Sequence, residues 1–264
     1  MAKRAKRRTF CGGVLTQEVY TVPDRAEVTT YKYKPRFKDE EDRARHRWAQ
    51  SRRHHADIIN NNYGPSSYYS TLTFDREYEV HTFDEARRIR DNYVRRLKRL
   101  YPDAKINIYM GRGKKGGRIH FHMISDGVDP VDIMGKWQHG SVIRVEPLRA
   151  HNIYDGVDHG RDYTGLANYC FDHWSPEQGD GRHRWKQTKN VEQPEPEPAQ
   201  EIKREYSPEK PPRAPKGFRL VECLTTRFGY LSFKYVKDFP EDDPPYIDRK
   251  KRGREPCSAS LVNG

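Results

Sequence analysis

The sequence predicts an α+β protein built on an antiparallel sheet of ferredoxin-like or RRM-like order, with helices on one face and the other face open. Three observations carry this prediction. Four short runs between residues 61 and 190 alternate apolar and polar residues with the period of a strand. One run between the first two has its apolar residues at helical spacing instead. A basic, glycine-rich turn joins the second strand to the third.

Tyr68-Tyr-Ser-Thr-Leu-Thr-Phe74 is rich in aromatic and β-branched residues and reads as the first strand, ended by Asp75. Thr82 and Glu85 form a capping box ahead of Ala86, Ile89, Tyr93, Leu97 and Leu100, the apolar stripe of a helix that Pro102 closes. Lys105–Met110 is the second strand, Gly111–Gly117 the turn and Arg118–Ser125 the third strand. A short helix around Val131–Trp137 precedes a fourth strand over Ser141–Glu146, and Asp162 is placed to cap a helix running to about His173. Strand, helix, strand, strand, short helix, strand, helix is the order that gives the fold class.

The flanks read differently. Residues 1–40 mix basic residues with no sustained period and read as a basic flexible arm. The main domain spans 41–190 and opens with a charged, helix-permissive segment whose weak apolar face is Ala44, Trp48 and Ala56. Residues 191–216, with Gln193-Pro-Glu-Pro-Glu-Pro, are rich in proline, which lacks the donor N–H, and read as a semi-rigid charged linker. Residues 217–264 supply a small β-hairpin and a loose basic tail. With 34% hydrophobic residues among 264, the composition suits one globular core with polar arms rather than two.

The formal charge of +12 is unevenly spread: residues 1–60 carry 15 basic against 8 acidic groups, 61–190 carry 21 against 17, and 191–264 carry 14 against 13. A surplus in an arm and one hairpin suits a polyanion, and nucleic acid ranks ahead of a membrane because no amphipathic apolar face accompanies it. No stretch approaches the roughly 20 apolar residues that span a bilayer. The basic start lacks the apolar run of a secretory signal, so the sequence reads as cytoplasmic with no membrane partner. Cys11, Cys170, Cys223 and Cys257 lie far apart without a C-x-x-C pair, which argues against a zinc ribbon or a disulfide framework.

The chemistry concentrates in two places. His120 and His122 alternate with Ile119, Phe121 and Met123 on a strand, so the two imidazoles share a face at roughly 7 Å and can bind one divalent cation. The adjoining hairpin contributes Lys105, Arg112, Lys114, Lys115 and Arg118 with no acid between Lys105 and Ser125, a candidate seat for DNA phosphates. On the last helix Leu166, Tyr169, Cys170 and His173 share one face. Tyr169 there is either a core aromatic or a nucleophile toward a phosphodiester, with metal polarisation offsetting the weakness of an un-ionised phenol.

Three motifs in this order, Tyr-Ser-Thr-Leu-Thr-Phe-Asp (69–75), Arg-Ile-His-Phe-His-Met-Ile (118–124) and Tyr-Thr-Gly-Leu-Ala-Asn-Tyr (163–169), resemble the HUH endonuclease superfamily. The resemblance is to rolling-circle replication initiator (Rep) proteins of plasmids and small DNA phages or prophages. It covers about residues 50–190, including Trp185-Lys-Gln-Thr-Lys-Asn190. The resemblance implies the HUH endonuclease fold and sequence-specific nicking and rejoining of single-stranded or hairpin origin DNA. His120 and His122 would hold Mg²⁺ or Mn²⁺, and Tyr169 would form a 5′-phosphotyrosyl bond that frees a 3′-OH. Host helicase and polymerase would act downstream, and no nucleotide cofactor is implied.

The chain departs from the family in three ways. Asp172 stands three residues after Tyr169, where the family often has Lys, so either a Lys or Arg elsewhere takes over the phosphate contact or His173 does so one position later. Tyr163, six residues before Tyr169, is a reserve nucleophile. Arg112 occupies the place of a third ligand, for which Asp75 and Glu146 are candidate substitutes. Two other readings stay open: a mobilisation relaxase or single-strand transposase with the same chemistry, and a non-catalytic RRM-like nucleic-acid binder.

Overall fold

Two five-stranded antiparallel sheets organise the chain, each in its own structural unit. The computed structural model describes residues 3–22, 39–113, 117–141, 143–173, 185–225 and 229–241. In chain order the elements begin β1 (Lys3–Cys11), β2 (Val14–Val22), α1 (Glu40–Asn62) and β3 (Tyr68–Thr73). After a 3-10 turn at Arg76–Tyr78 come α2 (Phe83–Leu100), β4 (Lys105–Arg112), β5 (Ile119–Asp126), α3 (Pro130–Gly135) and β6 (Ile143–Pro147). A small hairpin of β7 (Ile153–Tyr154) and β8 (Val157–Asp158) leads to α4 (Thr164–Asp172). The chain continues through β9 (Trp185–Gln187), β10 (Gln200–Ile202), β11 (Phe218–Thr225) and β12 (Leu231–Lys237).

The unit formed by Asn62–Arg149 and Tyr163–Gln193 holds the sheet β6-β3-β5-β4-β9. Its elements follow the sequence pattern. Thr82 Oγ1 accepts from the Glu85 amide at 3.3 Å and starts α2, and Asp129 accepts from the Val131 amide at 2.7 Å and starts α3. Strand alternation sends Leu72, Ile106, Ile108, Met110, Phe121 and Met123 to one face, where they meet Ala86, Tyr93, Val94 and Leu97 of α2 together with Ile133 and Trp137. Fully burying side chains of this size contributes about 1.5–3 kcal/mol each. Two polar groups in this layer are paired: Tyr93 donates to the Ile133 carbonyl at 2.7 Å and Trp137 to the Thr73 carbonyl at 2.8 Å.

The opposite face is not open. Helix α4 lies over it, with Ala167, Cys170 and Phe171 buried and the rings of Tyr169 and His173 against the β5 histidines. Tyr109 and Ile124 are buried on this face as well, and Tyr63 donates to Asn107 Oδ1 at 2.7 Å. The sequence-derived order missed this because a nine-residue helix with small apolar residues carries little amphipathic signal. Asp162 does not cap α4. Tyr163 occupies the cap position without a side-chain capping bond, and Asp162 instead receives Lys234 at 3.1 Å and Asn60 at 3.4 Å.

The unit formed by residues up to Asn61, Ala150–Asp162 and residues from Pro194 onward holds the sheet β10-β1-β2-β12-β11. Here residues 3–22 are a β-hairpin, not a flexible arm; residues 23–38 and the tail from 242 lie outside the described residues. Three of the five basic residues of β1 are held by carboxylates on neighbouring strands and segments: Arg7 by Glu18, Arg8 by Glu197 and Lys3 by Glu201. Compensation across strands is invisible to a composition read along the chain. At the hairpin turn, Gly12 has φ +57°, and a Cβ there would stand 2.2 Å from the Asn60 carbonyl oxygen, so only glycine fits.

Leu15, Val19, Leu231, Phe233 and Tyr235 form a second core, which corrects the expectation of a single one. The Pro-rich segment is part of that core's cover rather than a spacer. Gln200–Ile202 pairs with β1, Tyr206 and Ala214 pack on the cluster, and the Pro212 carbonyl accepts from Tyr235 at 2.8 Å. The division also departs from a 41–190 domain, since most of α1 and the β7–β8 hairpin group with the first sheet's unit. No described helix is long and apolar enough to cross a membrane.

Candidate metal centre

Strand β5 lies between β3 and β4, with His120 opposite Thr73 and Gly111, and His122 opposite Thr71 and Tyr109. Both imidazoles therefore emerge on the α4 face, and their Nε2 atoms stand 3.1 Å apart. A third imidazole comes from His173 at the C-terminus of α4, its ring centroid 5.2 Å from that of His120 and 4.5 Å from that of His122. One ligand nitrogen from each of the three lies within 4.8 Å of the others, so the group can hold a metal ion.

The residues fit such an ion in three respects. A 3.1 Å separation suits neighbouring ligands that each stand about 2.0–2.1 Å from one metal. The rings are held neutral, as ligands must be: burial lowers the His120 pKa, and burial followed by the charges of His120 and His173 depresses His122 to about 3. The outward nitrogens are also engaged. His120 Nδ1 is 3.3 Å from the Arg118 carbonyl, which can only accept, so Nδ1 carries the proton and Nε2 presents its lone pair to the cluster. His122 Nδ1 is 2.7 Å from the Tyr69 hydroxyl and 3.3 Å from Thr71 Oγ1.

Glycine makes the space. A Cβ at Gly111 would stand 2.6 Å from His173 Cδ2 and 2.9 Å from His120 Nε2, closer than carbon approaches either atom. The glycine of β4 thus does more than begin the turn: it lets the α4 imidazole reach the β5 pair.

Tyr169 completes the group. It is 48% exposed, with its ring centroid 5.2 Å from His122 and 4.6 Å from His173. It is therefore not a core aromatic; Ala167, Cys170 and Phe171 take that part of the helix. Partial burial raises its phenol pKa, the nearby Cys170 adds to the rise, and a hydrogen bond from Tyr69 opposes it.

Other candidates lie elsewhere. His173 joins the histidine cluster instead of standing apart as a phosphate contact. Asp75 is occupied by the Ser141 amide at 3.0 Å and hydroxyl at 3.1 Å, and Glu146 by Arg144 at 2.6 Å; neither joins the cluster. Tyr163 is only 2% exposed. Arg112 points to the α2 face, over the Phe83 ring at 4.9 Å. Lys105 pairs with Glu192 at the far end of β4, six residues from Gly111, or about 20 Å along the strand. Arg118 pairs with Glu79 at 3.4 Å, and Lys114 and Lys115 lie outside the described residues. Among the described residues the basic run is thus dispersed over both faces and the strand's length.

Sequence reasoning missed Tyr69, Thr71, Gly111 and the ligand role of His173. Only the last had a signal, its i+4 spacing from Tyr169 on a helix. No known family's profile matches the chain. No curated protein matches it, and no solved structure matches it.

Proposed function

We propose that the chain is a metal-dependent HUH-type endonuclease that nicks and rejoins single-stranded DNA through Tyr169, as a rolling-circle replication initiator does. The observation that carries this reading is the meeting of Tyr169 with three imidazoles, two from the H-x-H strand and one from the tyrosine's own helix. The central position of β5 and the lie of α4 on its histidine face support the HUH fold.

His120, His122 and His173 would hold the divalent cation, Mn²⁺ more readily than Mg²⁺ because nitrogen ligands suit the transition ion better. When bound, the cation supplies Lewis-acid polarisation of the scissile phosphate. Tyr169 Oη attacks phosphorus and loses its proton to solvent, while the P–O3′ bond breaks and O3′ takes up a proton. The products are a 5′-phosphotyrosyl bond and a free 3′-OH for the polymerase. The phosphoryl ester energy is retained, so the same atoms run the reverse step and rejoin a strand. Half-exposure leaves the Tyr169 hydroxyl open to a polymer substrate, and the excess of basic residues favours a polyanion.

The test is incubation of the full chain and Mn²⁺ with labelled single-stranded DNA hairpins, followed by a denaturing gel. A covalent adduct is expected, absent in Tyr169→Phe and retained in Tyr163→Phe. No adduct from the wild type over a broad set of hairpins would overturn the reading.

A further inference from the structure

Helix α2 carries seven basic residues and three acidic ones, and their pairing is uneven. Asp84 takes Arg87, and Asp91 takes Arg90 at 2.9 Å and Lys186 at 3.1 Å. The third acid, Glu85, belongs to the cap turn. Arg88, Arg95 and Arg99 are exposed, and among the described residues no carboxylate pairs with any of them. With Asn92 they stand at i, i+4, i+7 and i+11, which puts all four on one outward stripe of the helix. Asn92 accepts from Arg95 at 3.2 Å, which holds that guanidinium in place without cancelling its charge.

The stripe differs from the basic face of α1, where Arg43 and Arg47 pair with Glu40 at 2.7 and 2.8 Å and Arg45 with Glu41 at 3.4 Å. The helix dipole favours Lys98 and Arg99 in the last turn of α2 but gives no reason for Arg88 in the second. Arg95 and Arg99, one turn apart, repel each other. A set of fixed cations that works against its own helix is completed by an external polyanion.

The chemistry of the stripe selects that polyanion. Guanidinium forks match phosphate oxygens in pairs. The stripe has no aromatic ring on which an unstacked base could lie, as a single-strand surface needs, and no apolar residue to anchor a protein segment. Its length from Arg88 to Arg99, about 16 Å, exceeds the roughly 12 Å width of the DNA major groove, so its ends can reach phosphates on either side. We propose that the outer face of α2 is a second nucleic-acid surface, on which Arg88, Arg95 and Arg99 grip the phosphate backbone of duplex DNA without reading its sequence. The stripe lies on the helix side of the sheet and the histidine cluster on the other. It therefore holds duplex that flanks the single-stranded segment at the metal centre. This inference rests on the DNA partner of the proposed function and not on its tyrosine chemistry.

The test is fluorescence anisotropy of the full chain with a labelled blunt duplex over a range of salt, in EDTA so that no metal-dependent step intervenes. Arg88→Gln, Arg95→Gln and Arg99→Gln together should flatten the slope of log K against log salt by about 3, one unit per phosphate contact, and equally for two unrelated sequences. Arg43→Gln, Arg45→Gln and Arg47→Gln together remove the same charge from paired residues of α1 and should leave the slope unchanged. No duplex binding by the wild type, an unchanged slope in the α2 variant, or an equal loss in both variants overturns the proposal. So does a loss seen with the single strand but not with the duplex. An α2 variant that binds the duplex like wild type but no longer binds poly-glutamate also overturns it, and makes the stripe a seat for an acidic protein segment. The three side chains are exposed, so the variant should melt like wild type; if it does not, Arg95→Gln alone should flatten the slope by about 1. The adduct gel reads separately. The expected slope change without any adduct removes the nuclease chemistry alone, and an adduct with the slope unchanged removes the α2 surface alone.

Discussion

The backbone amide of His173 donates to the carbonyl of Tyr169 at 3.2 Å, so the third imidazole and the candidate nucleophile are separated by one closed helical turn. The same turn that presents Tyr169 to substrate delivers His173 to the β5 pair. His173→Ala should therefore weaken divalent-metal binding by more than the roughly 10–100-fold attached to an outer-shell partner. Asp75→Ala and Glu146→Ala, whose carboxylates are engaged by Ser141 and Arg144, should leave metal binding unchanged. Calorimetric titration of the three variants with Mn²⁺ checks the assignment, and an equal loss in Glu146→Ala would refute it.

Gly111→Ala places a methyl group against His120 and His173. The imidazoles must move apart, so metal binding should fall to the level of a ligand deletion. Overpacking of this kind costs about 1–3 kcal/mol of stability. Metal titration together with thermal melting separates the two effects, because the α2-face core is untouched.

Arg7→Ala tests the hairpin that replaces the expected arm. Glu18, with a side chain only 9% exposed, would lose its Arg7 partner while retaining Tyr230 and a more distant Arg53 at 3.7 Å. A loss of about 1–2 kcal/mol is expected in urea unfolding, the cost of depriving a largely buried acceptor of one donor. A flexible arm would show no loss.

Asp57 carries a pH signature. Burial is the main cause that pushes its carboxyl up to about 6; His54, Arg53 and Lys234 pull it down and Glu18 raises it. The Cys11 thiol also hydrogen-bonds it. The unfolded chain releases this proton near pH 3.9. Between that pH and about 6 the folded state holds the extra proton, so this group's contribution makes stability fall as pH rises through the window. The loss is complete above about pH 6 and is on the order of 3 kcal/mol. Asp57→Asn should raise stability at pH 7.5 by a similar amount and flatten the slope between pH 4 and 6, as measured by denaturant titration across pH.

Much of this was legible in the sequence where the signal was local. The Thr82 cap, the stripe from Ala86 to Leu97 and the alternation around His120 and His122 all rest on spacing of a few residues, and all three stand in the structure. What was illegible depended on pairing at long range. Lys3, Arg7 and Arg8 look like a solvated charge run until Glu201, Glu18 and Glu197 are brought beside them. Tyr69 and Thr71 become partners of His122 only through the β3–β5 register. Gly111 acquires its role from a helix more than fifty residues later.

The discontinuity of the first sheet also imposes an order on folding during synthesis. Strand β2 pairs with β12, so the sheet cannot close until residue 237 has left the ribosome, whereas every residue of the metal-centre unit has been made by residue 193. At about 5–20 residues per second, β1 and β2 wait on the order of tens of seconds. Throughout that interval the alternating face of β1 and β2 is an unpaired edge, and its density of arginine and lysine gives the nascent hairpin a charge that discourages association with its neighbours.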